Sequence, residues 1–141
     1  GANAGPQHSQ CLAAWFAHIP GLKVVTPSTP ADVLGLVKSG IRDNNPVLCL
    51  LSKKLIGSSG DVAAEGEDFL LPIGTAEIKR AGRDVTIDAN GQMVLQALEA
   101  AAILADQGVE AEIVDPRSIS PLIPCGQAIS SSMTMAAKMI R

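Results

Sequence analysis

The stretch Gly5-Pro6-Gln7-His8-Ser9-Gln10-Cys11-Leu12 sets one of the chain's two histidines in a polar loop, between a glycine–proline turn and an apolar run. Imidazole changes charge near physiological pH, so a histidine held in place can give or take a proton. Spacing alone favours a plainer role, a histidine bonded within its own loop, because no nucleophile or metal partner stands near it in sequence. Gly40, Ile41, Asp43 and Asn45 form a second group, at the expected end of a helix. Helix C-termini leave carbonyl oxygens unpaired at the negative end of the dipole. A hard cation that prefers oxygen ligands suits such a place. The plain alternative is a solvated helix end capped by asparagine.

These groups must be positioned by strands and helices, and the pattern predicts both. Residues 11–18 read as a short helix stopped by Pro20 and Gly21, and Leu22 to Val25 as a buried strand closed by Pro27. Thr29-Pro30-Ala31-Asp32 is a helix start: Thr29 can cap, Pro30 suits the first turn, and Asp32 favours the positive end. Val33, Leu34, Leu36, Val37 and Ile41 supply its apolar stripe, and Val47 to Leu51 a further strand. Residues 52–75 change character to glycine, serine and acids, with Phe69 to Ile73 expected to lie pinned against a surface. A second unit opens with a strand at Asp84 to Ala89. Residues 92–107 form a helix closed by Gly108, apolar on nearly every face and so expected to be buried on more than one side. Val109 to Val114 is the returning strand. The alternation predicts an α/β fold of parallel sheets flanked by helices.

Composition narrows the functional classes. Net charge is −3 and aromatic residues are 2% of the chain, which argues against nucleic-acid or anionic-membrane partners. No apolar run approaches a membrane span. Cys11, Cys49 and Cys125 are widely spaced and odd in number, which fits a reducing compartment better than a disulfide framework or a zinc site. Arg117 with Ser118 to Pro121 reads as a polar turn rather than an anion loop. Gly57-Ser58-Ser59-Gly60 lacks the strand and helix of a phosphate loop. His18 suits a helix end, and Met133, Met135 and Met139 one face of a tail helix.

Seven ordered segments carry a resemblance: QHSQ at 7–10, AWFAHIPGLKVV at 14–25, KSGIRDNNPV at 38–47, LLPIG at 70–74, KRAGRDVTI at 79–87, LEAA at 98–101 and DPRSISPL at 115–122. Together they resemble the middle of the beta subunit of the thiamine-diphosphate-dependent component of pyruvate dehydrogenase, within the 2-oxo acid dehydrogenase and transketolase-like family. The resemblance implies the second half of a pyrimidine-binding-type domain over 1–56 and a linker over 57–75. The first part of a transketolase C-terminal-type domain would follow over 76–122, then an unmatched tail over 123–141. It implies that His8 lies near the reactive carbon of thiamine diphosphate and serves proton transfer as an acyl group passes to a lipoyl arm. It also implies that Gly40, Ile41, Asp43 and Asn45 hold a structural potassium ion. Diphosphate and magnesium would be held mainly by missing segments and a partner alpha subunit, and a lipoyl-bearing transacetylase would be the second partner. The compartment would be the mitochondrial matrix or the bacterial cytoplasm.

The chain departs from the family at Leu51-Ser52, at Ile56 and at Asp88-Ala89-Asn90. Asp88 is a charge at a strand end with no evident partner, costly if buried. Alternatives are therefore a non-catalytic truncated or scaffold subunit, and a sister enzyme acting on branched-chain 2-oxo acids or acetoin. By this reading the segment alone catalyses nothing.

Overall fold

A computed structural model describes residues 4–122. Helix α1 spans Ala13–Ala17, and strand β1 spans Lys23–Val25. Helix α2 (Pro30–Arg42) and strand β2 (Val47–Cys49) follow, and Lys53–Leu55 forms a single 3-10 turn. The second unit contains β3 (Glu77–Arg80), β4 (Val85–Asp88), α3 (Met93–Asp106), β5 (Ala111–Asp115) and β6 (Ser118–Ser120). No helix among the described residues is long and apolar enough to cross a membrane.

The expected parallel pairs are present: β1 with β2, and β4 with β5. Each sheet is nevertheless mixed rather than parallel, because each carries one antiparallel strand. Strand order is β2-β1-β6 in one sheet and β3-β5-β4 in the other. Only Pro116 and Arg117 separate β5 from β6, so the chain turns sharply and lays β6 antiparallel against β1. The second unit thus contributes a strand to the first unit's sheet. β3 and β4 flank β5 on opposite sides, and the four residues joining them cross the start of β5. That crossing needs Gly82, where a Cβ would stand 2.2 Å from the carbonyl carbon of Ala111. The amides of Arg83 and Asp84 both donate to the Glu110 carbonyl at 3.0 Å, and the Asp84 carboxylate accepts from the Glu110 amide at 2.7 Å.

Helix α2 begins as its residues dictate. The Thr29 hydroxyl accepts from the Asp32 amide at 3.1 Å, and the Asp32 carboxylate accepts from the Thr29 amide at 3.0 Å, a reciprocal capping box. Its buried face is centred on Asp32, Gly35 and Leu36, while Val37 and Ile41 of the expected stripe are exposed. The linker explains the offset. A Cβ at Gly35 would meet Leu71 Cγ at 2.5 Å and Phe69 Cε1 at 2.9 Å, so the linker presses directly on this turn. Arg42 with Asp68 at 2.7 Å, and Lys38 with the Glu67 carbonyl at 2.9 Å, hold it there.

Helix α3 packs by Val94, Ala97 and Ala101 onto Ala111 and Ile113 of β5, an alanine-rich contact that brings helix and sheet close. Only this face is buried among the described residues; Leu95 and Ile103 are exposed, contrary to burial on several sides. Gly108, at φ 80°, ends the helix as expected, its amide donating to the Ala105 carbonyl at 2.9 Å. Asp88 is exposed, so its charge meets solvent and the feared burial penalty does not arise. The tail bearing Met133, Met135 and Met139 lies outside the described residues.

Gly82→Ala should destabilise the chain by about 3 kcal/mol, since the added methyl meets backbone that cannot yield. Chemical denaturation of the two proteins measures it.

Candidate functional site

His8 sits in its loop by local bonds. Its amide donates to the Gly5 carbonyl at 3.3 Å, and the Ala4 amide donates to Ser9 Oγ at 3.1 Å. The imidazole is exposed and Nδ1 stands 3.3 Å from Lys53 Nζ of the 3-10 turn. An ammonium group has only donors, so Nδ1 must accept and the ring proton belongs on Nε2. Lys53 was not singled out by sequence reasoning, since nothing local links it to a loop 45 positions away.

The turn after α2 is the second place. The Gly40 carbonyl accepts from the Asp43 amide at 3.3 Å. Asp43 Oδ1 accepts from the Asn45 amide at 2.8 Å and from its Nδ2 at 3.0 Å. Its other oxygen pairs with Lys23 Nζ at 2.5 Å. The Asp43 carboxylate is held at a pKa of about 2, first by the Lys23 hydrogen bond and then by the Asn45 backbone and side chain. Both Asp43 carboxylate oxygens are thus engaged, and the Gly40 carbonyl already accepts one hydrogen bond. Gly40 also lets β2 approach: a Cβ there would lie 3.2 Å from Val47 Cγ1.

A third group emerges only in three dimensions. Asp32 and Asp115 are fully buried, and the Ser28 hydroxyl lies between them, 3.0 Å from Asp32 Oδ2 and 2.5 Å from Asp115 Oδ2. Lys79 Nζ stands 3.3 Å from Asp32 Oδ2 and also pairs with Glu77. Arg117 Nε lies 2.8 Å from Asp32 Oδ1, at ion-pair distance but outside hydrogen-bond angles, and its Nη2 pairs with Glu77. Burial opposes the charge on Asp32, but the Thr29 hydroxyl, Lys79, Arg117 and Ser28 outweigh it and hold the carboxyl below its ordinary value. Burial dominates at Asp115 and pushes its carboxyl up. Ser28, Asp32, Glu77, Lys79 and Arg117, but not Asp115, line a cleft of about 480 Å³. The polar-turn reading of Arg117 to Pro121 gives way here, because Ser118–Ser120 is a strand and Arg117 belongs to the cluster. The available signal was a run of charges closing an apolar strand, which in a buried setting calls for partners.

Among the described residues, no hydrogen bond or ion pair joins His8, the Asp43 turn and this cluster to one another. His8 lines neither the 480 Å³ cleft nor the neighbouring apolar one of about 420 Å³ beside Leu51, Leu55 and Ile56. No three His, Cys, Asp or Glu side chains are arranged to hold a metal among the described residues.

Comparison with known proteins supplies the context. Residues 1–58 match the family described as transketolase, pyrimidine binding domain, and residues 74–134 match transketolase, C-terminal domain. Pyruvate dehydrogenase E1 component subunit beta-1, mitochondrial, of Oryza sativa subsp. japonica is 53% identical over 123 residues. That alignment covers 86% of this chain and 33% of the rice protein. The mouse subunit beta is 48% identical over 126 residues, covering 86% and 35%. The acetoin:2,6-dichlorophenolindophenol oxidoreductase subunit beta of Cupriavidus necator is 55% identical over 122 residues, covering 86% and 36%. The chain therefore spans about a third of the length of these curated relatives. Among solved structures, a split-gene transketolase described as an inactive beta4 tetramer aligns with TM-score 0.64 and 31% identity, over 77% of this chain and 35% of that one. A Pichia stipitis transketolase at 19% identity and TM-score 0.63 shares the fold over 91% of this chain and 19% of its own.

Asp43→Asn keeps the acceptor for Asn45 but removes the charge facing Lys23. A carboxylate with a depressed folded pKa stabilises above its unfolded pKa and loses that contribution as pH falls. The wild type should therefore lose stability between about pH 4 and about pH 2 that the variant never had, seen as a shallower acid limb in thermal midpoint against pH.

Proposed function

We propose that this chain, a transketolase-type homologue of the pyruvate dehydrogenase E1 beta subunits, works as the central part of a 2-oxo acid dehydrogenase beta subunit, its substrate pyruvate. The observation that supports it most is identity of about 50% to pyruvate dehydrogenase E1 beta subunits over most of this chain, together with the two domain matches. The assembled enzyme would decarboxylate pyruvate and reductively acetylate a lipoyl domain, with an alpha subunit and a lipoyl-bearing transacetylase as partners. The relatives' names support a mitochondrial matrix or bacterial cytoplasmic setting.

Thiamine diphosphate, when bound, supplies a carbanion-stabilising centre. In this reading His8 stands beside it as a hydrogen-bond donor through Nε2–H while Nδ1 accepts from Lys53, and it takes up a proton at Nδ1 when Lys53 swings away. In this reading the diphosphate and its magnesium are held mainly by the alpha subunit. A potassium ion fits the main-chain oxygens of Gly40, Ile41, Asp43 and Asn45, because Lys23 and Asn45 already occupy the Asp43 carboxylate and fix the turn. The Cupriavidus relative favours a second reading, an acetoin-cleaving enzyme, in which the same residues keep their roles.

Within a complete subunit assembled with its alpha partner, His8→Ala should slow lipoyl acetylation by about 10²–10⁴-fold, with acceptor-coupled decarboxylation of pyruvate falling far less. Unchanged lipoyl acetylation refutes the role. Faster turnover of acetoin than of pyruvate by the wild type selects the second reading. The thermal midpoint should be higher in potassium chloride than in tetramethylammonium chloride, and equal values would exclude the cation site.

A further inference from the structure

Two carboxyl groups and one hydroxyl meet where the halves of the molecule join, and their spacing constrains where the hydrogens are. Ser28 Oγ lies 2.5 Å from Asp115 Oδ2 and 3.0 Å from Asp32 Oδ2. A hydroxyl carries one hydrogen, and two oxygens at 2.5 Å need one between them. Asp32 is the ionised partner: its Oδ2 accepts from the Thr29 amide and hydroxyl at 3.0 and 2.7 Å and faces Lys79, while Arg117 faces Oδ1. If Ser28 donates to Asp115, its contact with anionic Asp32 sets bare lone pairs against a buried charge. If Ser28 donates to Asp32, the short contact must carry a hydrogen from Asp115 itself.

Charge balance favours the second arrangement. Asp32 faces Asp115 from α2, Glu77 and Lys79 face it from β3, and Arg117 faces it from the corner, whereas Asp88 of β4 turns to solvent. With Asp115 neutral, Asp32 and Glu77 balance Lys79 and Arg117. With Asp115 ionised, the group carries one uncompensated negative charge, placed on a fully buried carboxylate where it is costly.

We propose that Asp115 donates a proton to Ser28, which donates in turn to Asp32, and that this shared-proton relay latches the second unit onto α2 of the first, loosening when Asp115 loses its proton. The latch holds the β5–β6 corner, where the Thr26 amide donates to the Arg117 carbonyl at 2.8 Å. Burial raising the Asp115 carboxyl agrees with this assignment. A raised folded pKa gives stability that is present below the ordinary value of 3.8 and lost as pH climbs through the folded value. Asp32 has the opposite sign and acts only in acid.

The test uses the full chain, with Asp115→Asn as the mimic of the neutral carboxyl, since its amide can donate to Ser28. Expected is an Asp115→Asn thermal midpoint at neutral pH equal to or above that of the wild type. Opening at the corner, read from hydrogen exchange of the Thr26 amide after correction for intrinsic rates, should rise several-fold in the wild type as pH climbs from about 4 and stay flat in the variant. Asp32→Asn should lower the midpoint, and Ser28→Ala should abolish the pH dependence should Asp32→Asn fail to fold. The proposal is overturned if Asp115→Asn lowers the midpoint as Ser28→Ala does, or if its exchange keeps the wild-type pH dependence.

Discussion

The corner where one half of this molecule meets the other depends on burying ionisable groups in balance. Asp32, Asp115, Lys79, Arg117 and Glu77 come from a helix, two strands and a two-residue turn, and Ser28 sits among them. An unpaired charge there would be costly, so each group's position is conditional on the others. Arg117 illustrates the dependence. It adopts a φ of 57°, rare for a residue with a side chain, and the conformation persists because its guanidinium reaches Asp32 and Glu77 while its carbonyl accepts from Thr26. With that turn fixed, β6 has no course except onto β1, where the Gly74 amide donates to the buried Ser118 hydroxyl at 2.9 Å.

The two small sheets are then possible despite their size. A three-stranded sheet of short strands has little surface of its own to bury, and here each borrows from elsewhere. The first takes β6 from the second unit and the linker residues Phe69 and Leu71 over Gly35 of α2. The second relies on close approach, with alanines beneath α3 and Gly82 at the crossing loop. The exposed apolar side chains of α3, and Ile41 and Trp15 in the first unit, remain uncovered among the described residues.

Legibility in the sequence followed the distance over which information had to act. The Thr29–Asp32 capping box could be read because both partners lie within one turn. The ends of α3 and the parallel pairs β1–β2 and β4–β5 were equally local, being set by Gly108 and by apolar runs of strand length. β6 could not be read, since Ser118-Ile119-Ser120 has no alternation long enough to distinguish a strand from a turn. The buried cluster was hidden for another reason: Ser28 and Asp115 are 87 positions apart, and single charges at element ends look like solvated termini until the fold brings them together. His8 was found through a resemblance rather than its own surroundings, and its neighbour Lys53 was invisible to both. The concern over Asp88 was conditional on burial, and this residue at the end of the strand is exposed instead.

Helix α2 is the element on which the candidate sites converge. Its first turn supplies Asp32 to the corner, and its last turn leads into Asp43, fixed by Lys23 of β1. β1 in turn carries the register of both β2 and β6. A shift of the helix along its axis would therefore strain the capping box at one end and the Lys23–Asp43 pair at the other, and neither can give without breaking a charge pairing. Rigidity of this kind would suit the cation site proposed at that turn, because ligand geometry on a helix end is no better defined than the helix position. The same argument separates the His8 loop from the rest. Among the described residues the imidazole is tied only to Lys53, on a short exposed turn beyond β2, whereas the corner and the Asp43 turn are braced by several charge pairings and hydrogen bonds.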